Sequence, residues 1–270
     1  MKLNDLLRKM THKPSSKRFI EIDMLRGLAI SLMIFGHILW DLDYFNLVPI
    51  NNIVYSALQK TVPPLFFIIV GISLIVSKKK SEFKTKNEEN KYYKNLISRG
   101  IKIFGLGMII TLLSLIFLPN RVVFFGVLHC IGISIILSVP FLKYRNYNFL
   151  FSLIIIFTWT FIGSIHVNSP SIIHLALGFH QIDIWQHTVD YFPLIPWFGV
   201  CLLGITIGDW LYCGNTRIFK MIDLSKYRLA RFFSWVGQHS LGIYLIHQPL
   251  ITGFISLYLI VLNKGIFYLG

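Results

Sequence analysis

The sequence predicts an all-α integral membrane protein: a polytopic transmembrane helix bundle of about seven spans, eight at the upper count, with its N-terminus in the cytoplasm. Three observations carry this reading. Apolar residues fill 54% of 270 positions and charged residues only 14%. The apolar residues fall in long uninterrupted runs, and Lys and Arg concentrate between alternate runs. A soluble domain is about one quarter charged, and a mean hydropathy of +0.63 leaves too little polar surface for one. Crossing the hydrocarbon layer takes about 20 apolar residues as a helix. Lipid offers no partners to open backbone, so runs that do not alternate are read as helices.

In order, the runs are 24–42, 53–77, 101–118, 122–142, 149–165, 192–211 and 240–262. Only Pro119, Asn120 and Arg121 separate the third from the fourth, which predicts a tight hairpin. Residues 1–18 form a basic N-terminal segment without the apolar core of a signal peptide, so the first span is expected to serve as the targeting signal. Residues 19–265 read as one transmembrane domain. By this segmentation 22 of the 26 Lys and Arg fall on one side, which the positive-inside rule makes cytoplasmic. The odd number of spans then puts the C-terminus outside. Segment 77–95, SKKKSEFKTKNEENKYYKN, is expected to be a solvated tether beside anionic lipid headgroups.

The net charge of +14 does not indicate nucleic acid, because it is dispersed over connecting loops and forms no single basic face. Cys130, Cys201 and Cys213 are far apart and form no CxxC pair, so they read as small buried thiols. The outer connection, 166–191, holds His166, His174, His180 and His187 at spacings that match no standard ligand pattern, so no metal is expected.

Function is sought among polar groups inside lipid, where a central charge costs about 2.5–3.5 kcal/mol on insertion scales. The first run is the richest. Arg26 and His37 are eleven residues apart, about 20° short of overlap at 100° per residue, and Asp41 lies one turn beyond His37 on the same stripe. Asp23 is placed to neutralise Arg26. A histidine beside a carboxylate suits proton transfer near neutral pH; equally, Arg26 could be a positive-inside anchor and His37 a helix–helix hydrogen bond. Other spans carry His129, then Asp190 and Trp197 at the outer entrance of the sixth, then Tyr244, His247 and Gln248 in the seventh. Taken singly, Trp197 and Tyr244 read as anchors or packing.

Four segments in order resemble the catalytic domain of heparan-α-glucosaminide N-acetyltransferase and its small prokaryotic relatives. They are R-x-x-E-I-D-x-x-R-G-L-A-I at Arg18–Ile30, GVLHCIG, DYFPLIPWFG and SLGIYLIHQP, spanning about 18 to 250. The Arg26–His37 spacing also resembles membrane O-acyltransferases of bacterial envelope polysaccharides. The resemblance implies an acyltransferase-like domain that moves an acyl group, acetyl in the expected case, from cytoplasmic acyl-CoA to a sugar. It implies His37 as catalytic base or transient acyl carrier with Asp41 orienting it, Arg26 and Asp23 toward CoA, and His129, Asp190, Trp197, His247 and Gln248 along the pore or acceptor pocket. The expected partners are acyl-CoA, membrane lipids and a glycan or lipid-linked sugar of a prokaryotic plasma membrane. Heparan sulfate itself is a poor guess, since the chain is short and lacks a large luminal portion. The rival reading is a transporter using intramembrane histidines for proton or solute coupling; a third is a non-catalytic scaffold.

Overall fold

The computed structural model describes residues 18–81 and 83–262. Most of the basic N-terminal segment, and Lys264, therefore lie outside the described residues. In chain order the helices are α1 (Ile20–Tyr44), α2 (Asn52–Lys80), α3 (Lys86–Phe117), α4 (Val127–Lys143), α5 (Asn148–Ile162), α6 (Ile172–Leu177), α7 (Ile184–His187), α8 (Leu194–Leu211), α9 (Arg228–Gln238) and α10 (Ser240–Val261). A two-strand hairpin, β1 (Tyr212–Cys213) with β2 (Thr216–Arg217), follows α8.

Five helices, α1, α2, α3, α8 and α10, are long and apolar enough to cross a membrane, and the bent pair Val127–Lys143 and Arg145–Ile162 brings the count to six at most. Hydropathy alone gives seven, and the excess comes from the fourth and fifth runs. Residues 122–126 are not helical: they lie against the segment before α8 through an isolated Phe125–Tyr191 bridge and a Phe192 N–H donated to the Phe125 carbonyl. The helices left, α4 and α5, have 17 and 15 residues. That is about 25 and 22 Å at 1.5 Å per residue, against a hydrocarbon layer of about 30 Å. They meet at an angle of 111°.

The expected tether at 77–95 is mostly helix. α2 runs to Lys80 and α3 already begins at Lys86. The start is capped from both directions: the Thr85 hydroxyl accepts the Glu88 N–H, and the Glu88 carboxylate accepts the Lys84 N–H. The second bond reaches the residue before the Thr85 cap, one short of the reciprocal capping box.

α1 packs on α9, α2 and α10, while α8 packs on α2, α5 and α4, and α3 pairs with α4. The closest approach is α1 on α9, where Gly27 and Gly237 face each other's backbone: a side chain at either would run into the Phe233 or Asp23 carbonyl. Small residues at crossings let helix backbones approach where lipid supplies no hydrophobic drive. The outward faces are apolar. On α5, Phe149, Leu150, Phe151, Leu153, Ile154, Phe157 and Phe161 are all exposed, a surface suited to hydrocarbon.

One end of the bundle gathers basic side chains onto helix C-termini, where cations complement unpaired carbonyls. Lys78 donates to the Leu142 carbonyl near the end of α4, and Lys79 donates to the Asp209 and Tyr212 carbonyls at the end of α8. Arg145 pairs with Asp209, and Arg217 grips Glu21 at the start of α1 with two hydrogen bonds. Four residues from three of the basic segments thus meet at one end. His37, Asp41 and the 166–191 connection lie toward the other.

Candidate active site

α1 and α10 run side by side in the same direction. Gly27 meets Gly237 just before α10, and ten residues beyond each glycine His37 meets His247. Their rings are 4.9 Å apart between centroids and tilted by 58°. One turn on, Gln248 Nε2 lies 3.0 Å from each Asp41 carboxylate oxygen. Asp41 is 1% exposed, so this amide is what keeps a buried carboxyl group satisfied. The sequence places Asp41 one turn from His37 as its orienting group; in the structure the hydrogen bonds to its oxygens come from across the helix interface.

The two nitrogens of His247 are in different states. Nδ1 sits 2.5 Å from the Tyr244 carbonyl, an acceptor only, so Nδ1 carries the proton. Nε2 is buried without a hydrogen-bond partner, as is Gln248 Oε1 beside it. Tyr244 lies one turn before His247, with ring centroids 5.4 Å apart. Its hydroxyl is hydrogen-bonded to Asp190.

Asp190 joins the remaining motifs. Its Oδ2 accepts the Val127 N–H at 3.0 Å, capping α4 from another segment. Gly126 leaves room for it, since a Cβ there would collide with the carboxylate. Burial raises the Asp190 pKa to about 6, although hydrogen bonds from Val127 and Tyr244 favour the ionised form.

His129 lies next to this cap and is 2% exposed. The Gly126 N–H donates to its Nδ1 at 3.2 Å, and its Nε2 is 3.4 Å from the Thr111 hydroxyl, whose own proton goes to the Val123 carbonyl. Nδ1 therefore accepts and Nε2 donates: both nitrogens are used within the fold, and the ring locks α4 to α3. Trp197 stacks on Phe67 at 5.2 Å and packs against Phe192, an aromatic cluster between α2 and α8.

Arg26 faces inward at the other end of α1. It donates to Asp23 at 2.8 Å, to the Ser73 hydroxyl of α2 at 2.7 Å and to the Gly237 carbonyl of α9 at 3.5 Å. It ties three helices at their convergence, and Asp23 keeps one buried oxygen unpartnered. Between Arg26 and His37, Ile30 is fully buried.

The sequence-selected residues thus sort into three places. His37, Asp41, His247 and Gln248 form one cluster, connected through Tyr244 to Asp190 and next to it His129. Arg26 and Asp23 form a second, about 16 Å away along α1 at 1.5 Å per residue. Trp197 belongs to aromatic packing. Tyr244 is the linking residue that sequence reasoning assigned to packing; its signal was the i, i+3 spacing to His247. Ser73, the α2 partner of Arg26, gives no sequence signal. Among the described residues no group of three or more His, Cys, Asp or Glu could hold a metal ion.

Fold and site together define a polytopic integral membrane protein with a buried line of polar and titratable side chains. The family model described as "Heparan-alpha-glucosaminide N-acetyltransferase, catalytic" matches residues 18–249, and the chain belongs to that family. It is accordingly a membrane enzyme of the acetyltransferase type. No curated protein and no solved structure matches the chain.

Proposed function

We propose that this protein transfers an acyl group, acetyl in the expected case, from cytoplasmic acyl-CoA to a sugar of an envelope glycan or lipid-linked glycan in a prokaryotic plasma membrane. The observation that supports this best is the convergence of three of the four family-like segments on one polar line with the far end of the helix that carries the first: His129 from the second, Asp190 from the third, Tyr244, His247 and Gln248 from the fourth, and His37 and Asp41 from α1 beyond Ile30. A single line of histidines, carboxylates and amide in an apolar bundle suits proton transfer in a place shielded from water.

In this reading the basic end of the bundle is cytoplasmic, and the nucleotide part of CoA arrives there. Arg26, aligned by Asp23, meets its phosphates, which take the place of Ser73 and Gly237 as acceptors. The pantetheine arm passes Ile30 and Met33 along α1 and brings the thioester to His37. His37 acts there as base or as transient acyl carrier, while Asp41 and Gln248 hold the α1–α10 contact in register.

The test is release of CoA thiol from acetyl-CoA by proteoliposomes carrying the wild-type chain or His37→Ala. Acceptor-dependent release that falls by at least about 10²-fold in the variant is the expected result. Undiminished release by His37→Ala removes that residue from the reaction. Saturable sugar uptake without thiol release in the wild type would make the protein a transporter.

A further inference from the structure

Resting on the acetyltransferase reading, with His37 holding the acyl group or its thioester and not serving as the base, we infer that His247 Nε2 is the base that removes the proton from the sugar's attacking amine or hydroxyl group.

Three observations lead there. First, the ring's tautomer is set by the backbone: Nδ1–H points at the Tyr244 carbonyl, so Nε2 bears the lone pair. Second, that lone pair is buried and unpartnered in a residue only 8% exposed. Buried polar atoms are overwhelmingly hydrogen-bonded, and leaving one unpaired costs its full desolvation. A lone pair held ready in this way asks for a ligand with a hydrogen to donate. Third, the ring lies directly across from His37, the proposed site of the acyl group. His129 provides the contrast within the same molecule. Its Nδ1 receives an amide N–H and its Nε2 meets a hydroxyl, so it has no nitrogen to offer a substrate.

The step balances without any further reagent. The acceptor X–H bond breaks and its proton goes to His247 Nε2. The freed pair forms the X–C bond to the acyl carbon, and the bond from that carbon to its carrier, thioester sulfur or His37 nitrogen, breaks. The His247 imidazolium then returns its proton to that carrier. Gln248 Oε1, the neighbouring unpartnered acceptor, can receive a second donor hydrogen of the sugar.

His247→Asn tests the role, because the Asn amide can still donate to the Tyr244 carbonyl while nothing replaces Nε2. Acetyl transfer to glucosamine or methyl glucoside is expected to drop by about 10²-fold or more. Transfer to hydroxylamine, largely unprotonated at neutral pH and in little need of a base, is expected to stay within severalfold of wild type. Sugar transfer at the wild-type rate by His247→Asn overturns the role, and so does an equal loss with sugar and hydroxylamine in a folded variant. A wild-type protein that releases no thiol with any of these probes overturns the acetyltransferase reading itself. ¹⁵N NMR of histidine-labelled protein, with His247 assigned by difference from the variant, reads the tautomer independently of turnover: an Nε2–H form at neutral pH overturns the inference.

Discussion

Replacing Gly27 with Ala adds one methyl group where α1 crosses α9. That methyl would overlap the Phe233 carbonyl, approach its carbon to 2.7 Å and come within 2.9 Å of the Gly237 nitrogen. All three are backbone atoms, so no rotamer change relieves the clash and the helices must separate. Ala is favoured over Gly in a helix interior by about 1 kcal/mol. Overpacking a close contact costs about 1–3 kcal/mol, occasionally more, and immovable neighbours put this site at the upper end. The expected net is a loss of about 2 kcal/mol, read as a lowered midpoint of thermal unfolding in detergent. Gly105→Ala is the control: nothing lies within 4 Å of a Cβ there, so it should be neutral or stabilising by up to about 1 kcal/mol. The crossing also sets the register ten residues on, so Gly27→Ala is expected to reduce turnover through a displaced His37–His247 contact. A Gly27→Ala protein as stable as wild type, or more stable, would refute the close-crossing argument.

Two further outcomes follow from the site. Burial raises the Asp190 pKa from 3.8 to about 6, so the folded state binds this proton more tightly than the unfolded state. Its contribution to stability is therefore lost as pH rises from about 4 through about 6; at about 1.4 kcal/mol per unit the upper bound is about 3 kcal/mol, and partial solvent screening reduces it to about 1–2 kcal/mol. Unfolding midpoints should fall across that window in the wild type more than in Asp190→Asn, and parallel curves would show that Asp190 does not titrate there. Gln248→Ala strips the buried Asp41 carboxyl of its amide and should cost about 1–3 kcal/mol, with Gln248→Glu worse because two carboxyl groups would then face each other. Wild-type stability in both would mean the Asp41–Gln248 bond contributes nothing.

The membrane class and the residues worth attention were legible because lipid makes both conspicuous. Long apolar runs have few alternative readings, and a His or Asp inside one stands out. That Arg26, His37 and Asp41 share one stripe of α1 followed from helical periodicity alone; that the stripe faces the other helices did not. What the sequence hid were relations between helices. Nothing in Asp41 says that its partner is Gln248, more than 200 residues away, or that Ser73 receives Arg26. Hydropathy also counted residues 122–126 as membrane helix, although Phe125 bridges to Tyr191 and accepts the Phe192 N–H; apolar side chains do not reveal where backbone hydrogen bonds go. The start of α3 was readable in principle from Thr85 and Glu88, a capping pair concealed within a lysine-rich stretch that looks like a loop. His129 and His247 look alike in sequence, since the difference between a saturated imidazole and one with a free nitrogen lies entirely in their neighbours.

A structure of the protein with a non-hydrolysable acetyl-CoA analogue bound would test acyl transfer along α1 most directly. Phosphate density is expected beside Arg26 at the basic end, with the acyl carbonyl between the rings of His37 and His247. Analogue bound on another face of the bundle, with those two rings still in contact and Ile30 undisturbed, would contradict it.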